Sequence, residues 1–128
     1  MKKDTKIAFI GPGVMAEAMI AGLINQHVVP SESIVVSGPS PARVDELAER
    51  HAIGAETDNA AAVKDADVVV LAVKPQRLDH VMGDLRGAVK TGSLVVSIVA
   101  GATLDKIAAG LGHDAVVRSM PNLSLIHI

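Results

Sequence analysis

Residues 7–16 read Ile-Ala-Phe-Ile-Gly-Pro-Gly-Val-Met-Ala, a short apolar run followed at once by a turn that holds two glycines. The apolar run is typical of a buried β-strand, and the residues after the turn have helical composition. Gly-x-Gly-x-x-Ala between a strand and a helix is a form of the fingerprint that binds dinucleotides. Gly11 permits the tight turn, Gly13 lets the backbone approach a pyrophosphate, and Ala16 lets the helix pack close to the sheet. The stretch therefore predicts a nucleotide-binding unit, with an ordinary strand-to-helix turn as the alternative.

Short apolar, β-branched runs alternate with longer segments of helical period along the chain. This alternation is typical of a parallel sheet with helices on both faces, whose strands are buried on both faces. The predicted strands are 7–10, 33–36, 68–73, 93–99 and 116–117, with a weaker one at 55–56. The predicted helices are 15–26, 42–51, 59–64, 78–89 and 104–111. The sequence thus predicts an α/β fold, a Rossmann-like doubly wound parallel sheet, in one domain over residues 1–122.

Two of the predicted helices carry further signals. Thr103 precedes the last helix as a candidate N-cap, and Gly110 and Gly112 can adopt the left-handed conformation that ends a helix. In the helix 42–51, four residues at helical spacing share one face, which leaves its acidic residues to water. These four residues are Val44, Leu47, Ala48 and His51.

Composition limits the function classes that are open to the chain. Apolar residues make up 49% and charged residues 20% of its 128 residues, so it can fill the core of one domain and is not of the disordered class. Phe9 is the one aromatic residue and the net charge is −2, which argues against a nucleic-acid partner. With no cysteine and no histidine pair at helical spacing, the sequence predicts no metal site. We see neither a signal peptide nor a membrane span, so a cytoplasmic location without a membrane partner is expected.

The loop after the second predicted strand bears on the choice of cofactor. An NAD-preferring site needs an acidic residue at the end of this strand to accept from the ribose hydroxyls. Residues 37–43 instead read Ser-Gly-Pro-Ser-Pro-Ala-Arg, with no acid before Asp45. The hydroxyls of Ser37 and Ser40 and the guanidinium of Arg43 suit a 2′-phosphate, which predicts NADPH, with NADH possible. The alternative is an ordinary turn in which Ser40 caps the next helix and Arg43 lies in water.

Two further loops follow central strands, at the sheet edge where open α/β folds bind ligands. The fourth predicted strand ends before Lys74 and Pro75, and Pro75 would stop the strand and start the next helix. Lys74 is a candidate catalytic acid or an ordinary strand-end charge, and spacing alone leaves both open. The fifth strand ends before Ala100 and Gly101, and residues 118–122 follow a sixth strand at the same edge.

Several segments, in this order, together resemble the N-terminal dinucleotide-binding domain of pyrroline-5-carboxylate reductases. They are the glycine turn, Thr-Asp-Asn at 57–59, Leu-Ala-Val-Lys-Pro-Gln at 71–76, Ser-Ile-Val-Ala-Gly at 97–101 and Met-Pro-Asn at 120–122. The resemblance implies an oxidoreductase that uses NAD(P)H to reduce the C=N bond of a small molecule, 1-pyrroline-5-carboxylate, to L-proline in proline biosynthesis. Another NADP-dependent reductase of the β-hydroxyacid dehydrogenase or coenzyme F420-linked group is an alternative. A stand-alone dinucleotide-binding module is a third possibility.

The resemblance also implies positions for the cofactor. Residues 11–16 would bind the pyrophosphate, residues 37–43 would border the adenosine end, and Asn59 would lie near its ribose. Val14 departs from the polar residue that is usual at its position, so a side-chain hydrogen bond to the cofactor is lost there. The two strand-end loops would flank the nicotinamide end, and no catalytic residue is assigned. The full set of predicted cofactor-binding residues is Gly11, Pro12, Gly13, Val14, Met15, Ala16, Ser37, Ser40, Arg43, Asn59, Ala72, Val73, Lys74, Pro75, Ala100 and Gly101.

Length is the larger departure from this family. Its members continue after the Met-Pro-Asn segment into a helical domain, which forms a homo-oligomer and supplies much of the substrate pocket. We expect the 128-residue chain to lack that domain and to be inactive by itself. Residues 123–128, Leu-Ser-Leu-Ile-His-Ile, are what CTG TCT CTT ATA CAC ATC encodes, the end of a transposase adapter used in sequencing. They are expected to be a non-native tail, with a natural short edge strand as the alternative.

Overall fold

The computed structural model describes residues 4–119, whose six strands form a parallel sheet with helices on both faces. The strands are β1 (Ile7–Ile10), β2 (Ile34–Ser37), β3 (Gly54–Glu56), β4 (Val68–Leu71), β5 (Leu94–Ser97) and β6 (Val116–Arg118). The helices are α1 (Val14–Asn25), α2 (Pro41–His51), α3 (Asn59–Val63), α4 (Leu78–Leu85) and α5 (Leu104–Leu111), with 3₁₀ turns at Ser31–Ser33 and Pro75–Arg77. The predicted Rossmann-like fold is confirmed. The predicted Met-Pro-Asn site segment at 120–122 and the tail at 123–128 lie outside the described residues.

The strand order β3-β2-β1-β4-β5-β6 places two βαβ halves side by side. The chain runs outward from β1 to β3, crosses back to place β4 beside β1, and then runs outward in the other direction. Ligands of such sheets bind at the carboxyl ends of the strands, where the order reverses. In this chain that point lies directly after Ile10 and Leu71, which pair with each other in the register.

Two apolar clusters fill the space between the sheet and its helices, one on each face. Alternate residues of β1 divide between them, since Phe9 packs with α1 and α2 whereas Ile10 packs with α3, α4 and α5. Because both faces of β1 are buried, its run of four apolar residues shows no polar alternation, as predicted. The inward face predicted for α2 is confirmed by the burial of Val44 and Leu47.

The ends of the central strands differ from the prediction. The apolar run 68–73 is longer than the strand within it, which stops at Leu71. Its central partner β1 stops at Ile10, because Gly11 turns the chain away from the sheet. The last bond between the two strands is donated by the N–H of Ala72 to the carbonyl of Ile10 (2.8 Å). Strand length is thus set by the partner, which a single apolar run does not show.

One predicted helix end is confirmed and one is wrong. Helix α5 follows Thr103, whose Oγ1 accepts a backbone N–H of the first turn (3.1 Å), and it ends at Gly112 in the left-handed region. Helix α4 stops at Leu85 rather than at residue 89. Arg86 leaves the helical region with ψ 121°, and Gly87 then adopts φ +81°.

Gly110 packs two helices together rather than ending one, so its predicted role is wrong. It lies within α5, and a Cβ built on it would stand 2.5 Å from Sδ of Met82 in α4. The lack of a side chain therefore lets α4 and α5 approach each other closely.

The edge of the sheet at β5 and β6 is less covered than predicted. Leu94 is 38% exposed and Val117 is 44% exposed. Both belong to the sheet face on which the described helices α1 and α2 pack, and these helices lie over the other half of the sheet. The prediction that every strand is buried on both faces is wrong at this edge. Among residues 4–119 we find no helix with the length and apolar character needed to cross a membrane.

Candidate cofactor-binding site

The chain turns sharply at Gly11, directly after β1. Gly11 has φ +110°, and a Cβ built on it would stand 2.5 Å from the carbonyl oxygen of Ala72 at the end of β4. Its N–H donates to the carbonyl of Ser37 at the end of β2 (2.9 Å). A residue with a side chain fits neither this φ nor this contact. The turn is therefore held between the ends of three strands.

Helix α1 begins directly after the second glycine of the turn, and no side chain of the described residues caps its first backbone N–H groups. Gly13 is its N-cap and has no side chain to accept from them. A Cβ built on Gly13 would have no heavy atom of the described residues within 4 Å, other than its chain neighbours, so the space in front of it is open. Free N–H groups and the positive end of a helix dipole bind anions. The turn accordingly fits the pyrophosphate of a dinucleotide.

A cavity of about 400 Å³ opens beside this turn, where the strand order reverses. A cavity at this point of an open α/β sheet is the candidate cofactor site. Its walls come from the turn, the β2–α2 loop, the start of α3, the β4–α4 connection and one side of α4. The lining residues are Ile10, Gly11, Pro12, Gly13, Ser37, Gly38, Pro39, Thr57, Asn59, Ala72, Val73, Lys74, Arg77, His80, Val81 and Asp84.

Hydrogen bonds connect three of these lining residues from β2 to α4. The buried Ser37 donates its hydroxyl hydrogen to Oδ1 of Asn59 (2.7 Å), and Nδ2 of Asn59 donates to Oδ2 of Asp84 (3.3 Å). Nε2 of His80 lies 3.7 Å from the same Asp84 oxygen. Ser37 therefore orients Asn59, and its hydroxyl hydrogen is already used. Of the three groups that were predicted to suit a 2′-phosphate, the hydroxyl of Ser40 and the guanidinium of Arg43 therefore remain as candidates.

Arg43 lies against the glycine turn. Its Nε–H donates to the carbonyl of Pro12 (2.8 Å), and its two terminal nitrogens reach Glu46 (2.7 Å) and Glu17 (3.5 Å). Oγ of Ser40 accepts the backbone N–H of Arg43 (3.3 Å) and caps α2. The capping role predicted for Ser40 is thus confirmed. Arg43 does not lie free in water, because its side chain is 29% exposed and has three acceptors.

Glu17 of α1 is paired with three residues of α2. Its Oε2 lies 2.5 Å from a terminal nitrogen of Arg50 and 2.8 Å from Nε2 of His51, and its Oε1 faces Arg43. The hydrogen bond with His51 lowers the pKa of Glu17 most, Arg50 lowers it further, and desolvation opposes them. The same pairing raises the pKa of Arg50. The carboxylate therefore stays charged and connects α1 to α2 beside the turn.

The cavity brings together about half of the residues predicted to bind the cofactor: Gly11, Pro12, Gly13, Ser37, Asn59, Ala72, Val73 and Lys74. Of the others, Val14, Met15 and Ala16 form the first turn of α1, where Val14 is 74% exposed and Ala16 is buried against the sheet. Pro75 starts the 3₁₀ turn before α4. Ala100 and Gly101 follow β5 and do not line this cavity.

Sequence reasoning missed the side of α4 that closes the cavity. His80, Val81 and Asp84 share one side of α4, because Asp84 lies four residues after His80 and three after Val81, and Arg77 precedes them at the end of the 3₁₀ turn. This spacing directly after a central strand is the signal in the sequence that points to them. Gly38 and Pro39 lie within residues 37–43, which were expected to border the adenosine end, and Thr57 lies in the Thr-Asp-Asn segment. Gly38 is tightly packed, because a Cβ on it would stand 2.6 Å from Cδ of Pro12.

Comparison with known proteins places this site in a protein family. Residues 6–101 match the family model for NADP oxidoreductase, coenzyme F420-dependent. The chain is 41% identical over 117 residues to the pyrroline-5-carboxylate reductase of Synechocystis sp., which covers 91% of this chain and 43% of that protein. The pyrroline-5-carboxylate reductase of Escherichia coli is 40% identical over 120 residues, which cover 93% of this chain and 45% of that protein.

A solved structure agrees with these sequence comparisons. The pyrroline-5-carboxylate reductase of Coxiella burnetii has a TM-score of 0.86 and 36% identity to this chain, over 93% of this chain and 44% of that one. The chain thus spans less than half the length of the curated relatives described above. The resemblance to pyrroline-5-carboxylate reductases that the sequence motifs indicate is confirmed. Because the family model matches most of its residues, the chain belongs to the NADP oxidoreductase, coenzyme F420-dependent, family.

Proposed function

We propose that this chain is the cofactor-binding part of a pyrroline-5-carboxylate reductase, which reduces the C=N bond of 1-pyrroline-5-carboxylate to give L-proline. Similarity to such reductases over more than nine-tenths of the chain carries the proposal. It favours this function over a different NADP-dependent reductase and over a stand-alone module. The relatives are more than twice as long as this chain. We propose that the whole enzyme is a homo-oligomer and that much of its substrate pocket lies in this additional length. The cytoplasmic location stays a prediction.

The residues of the cavity have separate roles toward the dinucleotide. Free N–H groups at the start of α1 would hold the pyrophosphate, and Gly13 leaves room for it. Asn59, oriented by Ser37, would offer its amide to the adenosine ribose. When bound, NADPH supplies the hydride that reduces the imine carbon. Lys74 is exposed at the cavity and remains the candidate acid for the imine nitrogen.

The charge of the loop after β2 favours NADPH over NADH. The loop 37–43 holds Arg43 and no carboxylate that would repel a 2′-phosphate. Arg43 is anchored through Nε to the carbonyl of Pro12, which keeps its terminal nitrogens beside the glycine turn. A planar guanidinium binds phosphate through two parallel N–H donors. We therefore assign the 2′-phosphate to Arg43, with Ser40 as its neighbour.

Substitution of Arg43 tests this assignment. Arg43→Ala is expected to weaken NADPH binding about 10- to 100-fold and to change NADH binding less than about twofold, because a hydrogen bond to a charged group contributes roughly 1.5–3 kcal/mol. Titration calorimetry with both cofactors measures the two constants. Arg77→Ala is the matched control, since it removes the same side chain from the α4 side of the cavity. Equal losses for both cofactors in Arg43→Ala, or a loss of NADPH binding confined to Arg77→Ala, would contradict the assignment.

A chimaera tests the substrate. Residues 4–119 of this chain would replace the aligned segment of the Escherichia coli relative, which is 40% identical. The chimaera is expected to oxidise NADPH only when 1-pyrroline-5-carboxylate is present, and the same chimaera with Gly13→Ala serves as the cofactor-site control. A folded chimaera that binds NADPH and yet stays inert with this imine would refute the proposed function.

A further inference from the structure

We propose that Glu17 is a specificity-determining residue, which limits the preference for NADPH over NADH by holding the guanidinium of Arg43. This inference rests on the proposed function, because it assumes that the cavity binds these cofactors. Neither Glu17 nor Arg43 lines the cavity, and Glu17 faces a terminal nitrogen of Arg43, so it would act through Arg43 as a positioning residue.

Three of the five N–H groups of the Arg43 guanidinium already face acceptors. Nε donates to the carbonyl of Pro12, one terminal nitrogen donates to Glu46, and the other faces Glu17. A 2′-phosphate would need the terminal nitrogens, which are the two that carboxylates hold. A phosphate that binds these nitrogens therefore competes with Glu46 and Glu17 for the charge of the guanidinium.

Glu17 is also held through its other carboxylate oxygen, Oε2. Arg50 and His51 bind its Oε2 at 2.5 Å and 2.8 Å, and its side chain is only 21% exposed. Its backbone N–H donates to the carbonyl of Gly13 (3.0 Å), so it lies one helical turn from the proposed pyrophosphate site. Glu17 therefore keeps its charge close to the place where two phosphate groups would bind.

The charges of the ion-pair cluster between α1 and α2 balance. Two carboxylates, of Glu17 and Glu46, face two guanidiniums, of Arg43 and Arg50. These four groups together have no net charge, so the loop attracts a 2′-phosphate less than its sequence suggests. Replacement of Glu17 by the isosteric glutamine would leave a net positive charge and free Arg43 for the phosphate.

The test compares the dissociation constants of NADPH and NADH by titration calorimetry. Glu17→Gln is expected to strengthen NADPH binding up to about fivefold and to leave NADH binding within about twofold, since a partly exposed ion pair corresponds to effects of roughly this size. Glu49→Gln is the matched control. Glu49 lies on α2, is exposed and has no ion pair with any residue in the described part of the chain, so its variant has the same net charge and both constants are expected to be unchanged.

Two further variants separate this role from a purely structural one. In an Arg43→Ala background, Glu17→Gln is expected to give no gain in NADPH binding, because Glu17 acts through Arg43. Glu46→Gln releases the same guanidinium and is expected to shift the preference in the same direction, which keeps the claim testable if Glu17→Gln does not fold. An unchanged NADPH to NADH ratio in both single variants, or a full gain in the Arg43→Ala background, would overturn the inference. Failure of the unmodified chain to bind either cofactor would instead overturn the proposed function.

Discussion

Gly11 and Gly13 lie two residues apart in the same turn and are glycines for different reasons. Gly11 has φ +110° and lies against the backbone of Ala72, so the fold itself requires it. Gly13 has φ −82° and faces open space, so its backbone would accept a side chain. On the present account, only the pyrophosphate of the cofactor requires a glycine at position 13.

Alanine at each position separates these two requirements. Gly11→Ala is expected to lower the free energy of unfolding by about 2 kcal/mol or more, because of the left-handed φ and the contact with Ala72. Gly13→Ala is expected to leave the free energy of unfolding within about 0.5 kcal/mol of that of the unmodified chain. The same variant is expected to weaken the binding of both NADPH and NADH by about tenfold or more. Urea unfolding and calorimetry measure the two effects. Undiminished cofactor binding by Gly13→Ala would show that the pyrophosphate does not bind at this turn.

The sequence predicted the identity of about half of the residues that line the cavity but not their partners. Residues 37–43 predict a 2′-phosphate site at Ser37, Ser40 and Arg43, with an ordinary turn capped by Ser40 as the alternative. The structure confirms the cap, and it adds that Arg43 is held by Pro12 and Glu17. These two partners lie 31 and 26 residues earlier in the chain, so no local pattern contains them.

At the scale of the elements, local chemistry predicted the starts of helices better than the ends of strands. A cap such as Thr103 is a short-range signal that one stretch of sequence contains. The end of β4 depends on where β1 stops, and the side of α4 that lines the cavity depends on which sheet edge it packs against. Both are set by residues far away in the chain.

The contact between α4 and α5 gives a prediction on stability. Gly110→Ala is expected to lower the free energy of unfolding by about 1–2 kcal/mol, because its Cβ would overlap Met82 and overpack the core. Gly83→Ala is the matched control, since Gly83 lies within α4 and a Cβ on it would meet no described atom within 4 Å beyond its own helix and chain neighbours. That control is expected to gain about 0.5–1 kcal/mol from helix propensity. Thermal or urea unfolding of the two variants decides the point, and equal effects of both would show that α4 and α5 are not closely packed there.

The ion pairs between α1 and α2 predict a dependence of stability on pH. The folded-state pKa of Glu17 is lowered, mainly by its hydrogen bond with His51. A group with a lowered pKa stabilises the fold above its unfolded pKa, about 4.3 for glutamate, and this contribution is lost as the pH falls through the folded value. The free energy of unfolding is therefore expected to fall more steeply below about pH 4.3 in the unmodified chain than in Glu17→Gln. The free energy of unfolding is measured by urea unfolding of both proteins between pH 6 and pH 3. If it depends on pH equally in the two, Glu17 makes no such contribution.

For the molecule as a whole, the alternation of apolar runs and helical segments was enough to predict the doubly wound sheet. The uncovered edge at Leu94 and Val117 was not predictable, because an apolar run does not show whether a helix packs on it. The relatives extend to more than twice the length of this chain, and we place the substrate-binding groups of the whole enzyme in that additional part. Under the proposed function, the cofactor and the imine are then held mainly by different parts of the protein.

The most direct test of a dinucleotide site at the glycine turn is a calorimetric titration of the 128-residue chain with NADPH and then with NADH. We predict one saturable site, tighter binding of NADPH than of NADH, and loss of both in Gly13→Ala. NADPH oxidation in the presence of 1-pyrroline-5-carboxylate is expected to stay at background in the same sample. No saturable binding of either cofactor, or binding that Gly13→Ala leaves intact, would contradict the account.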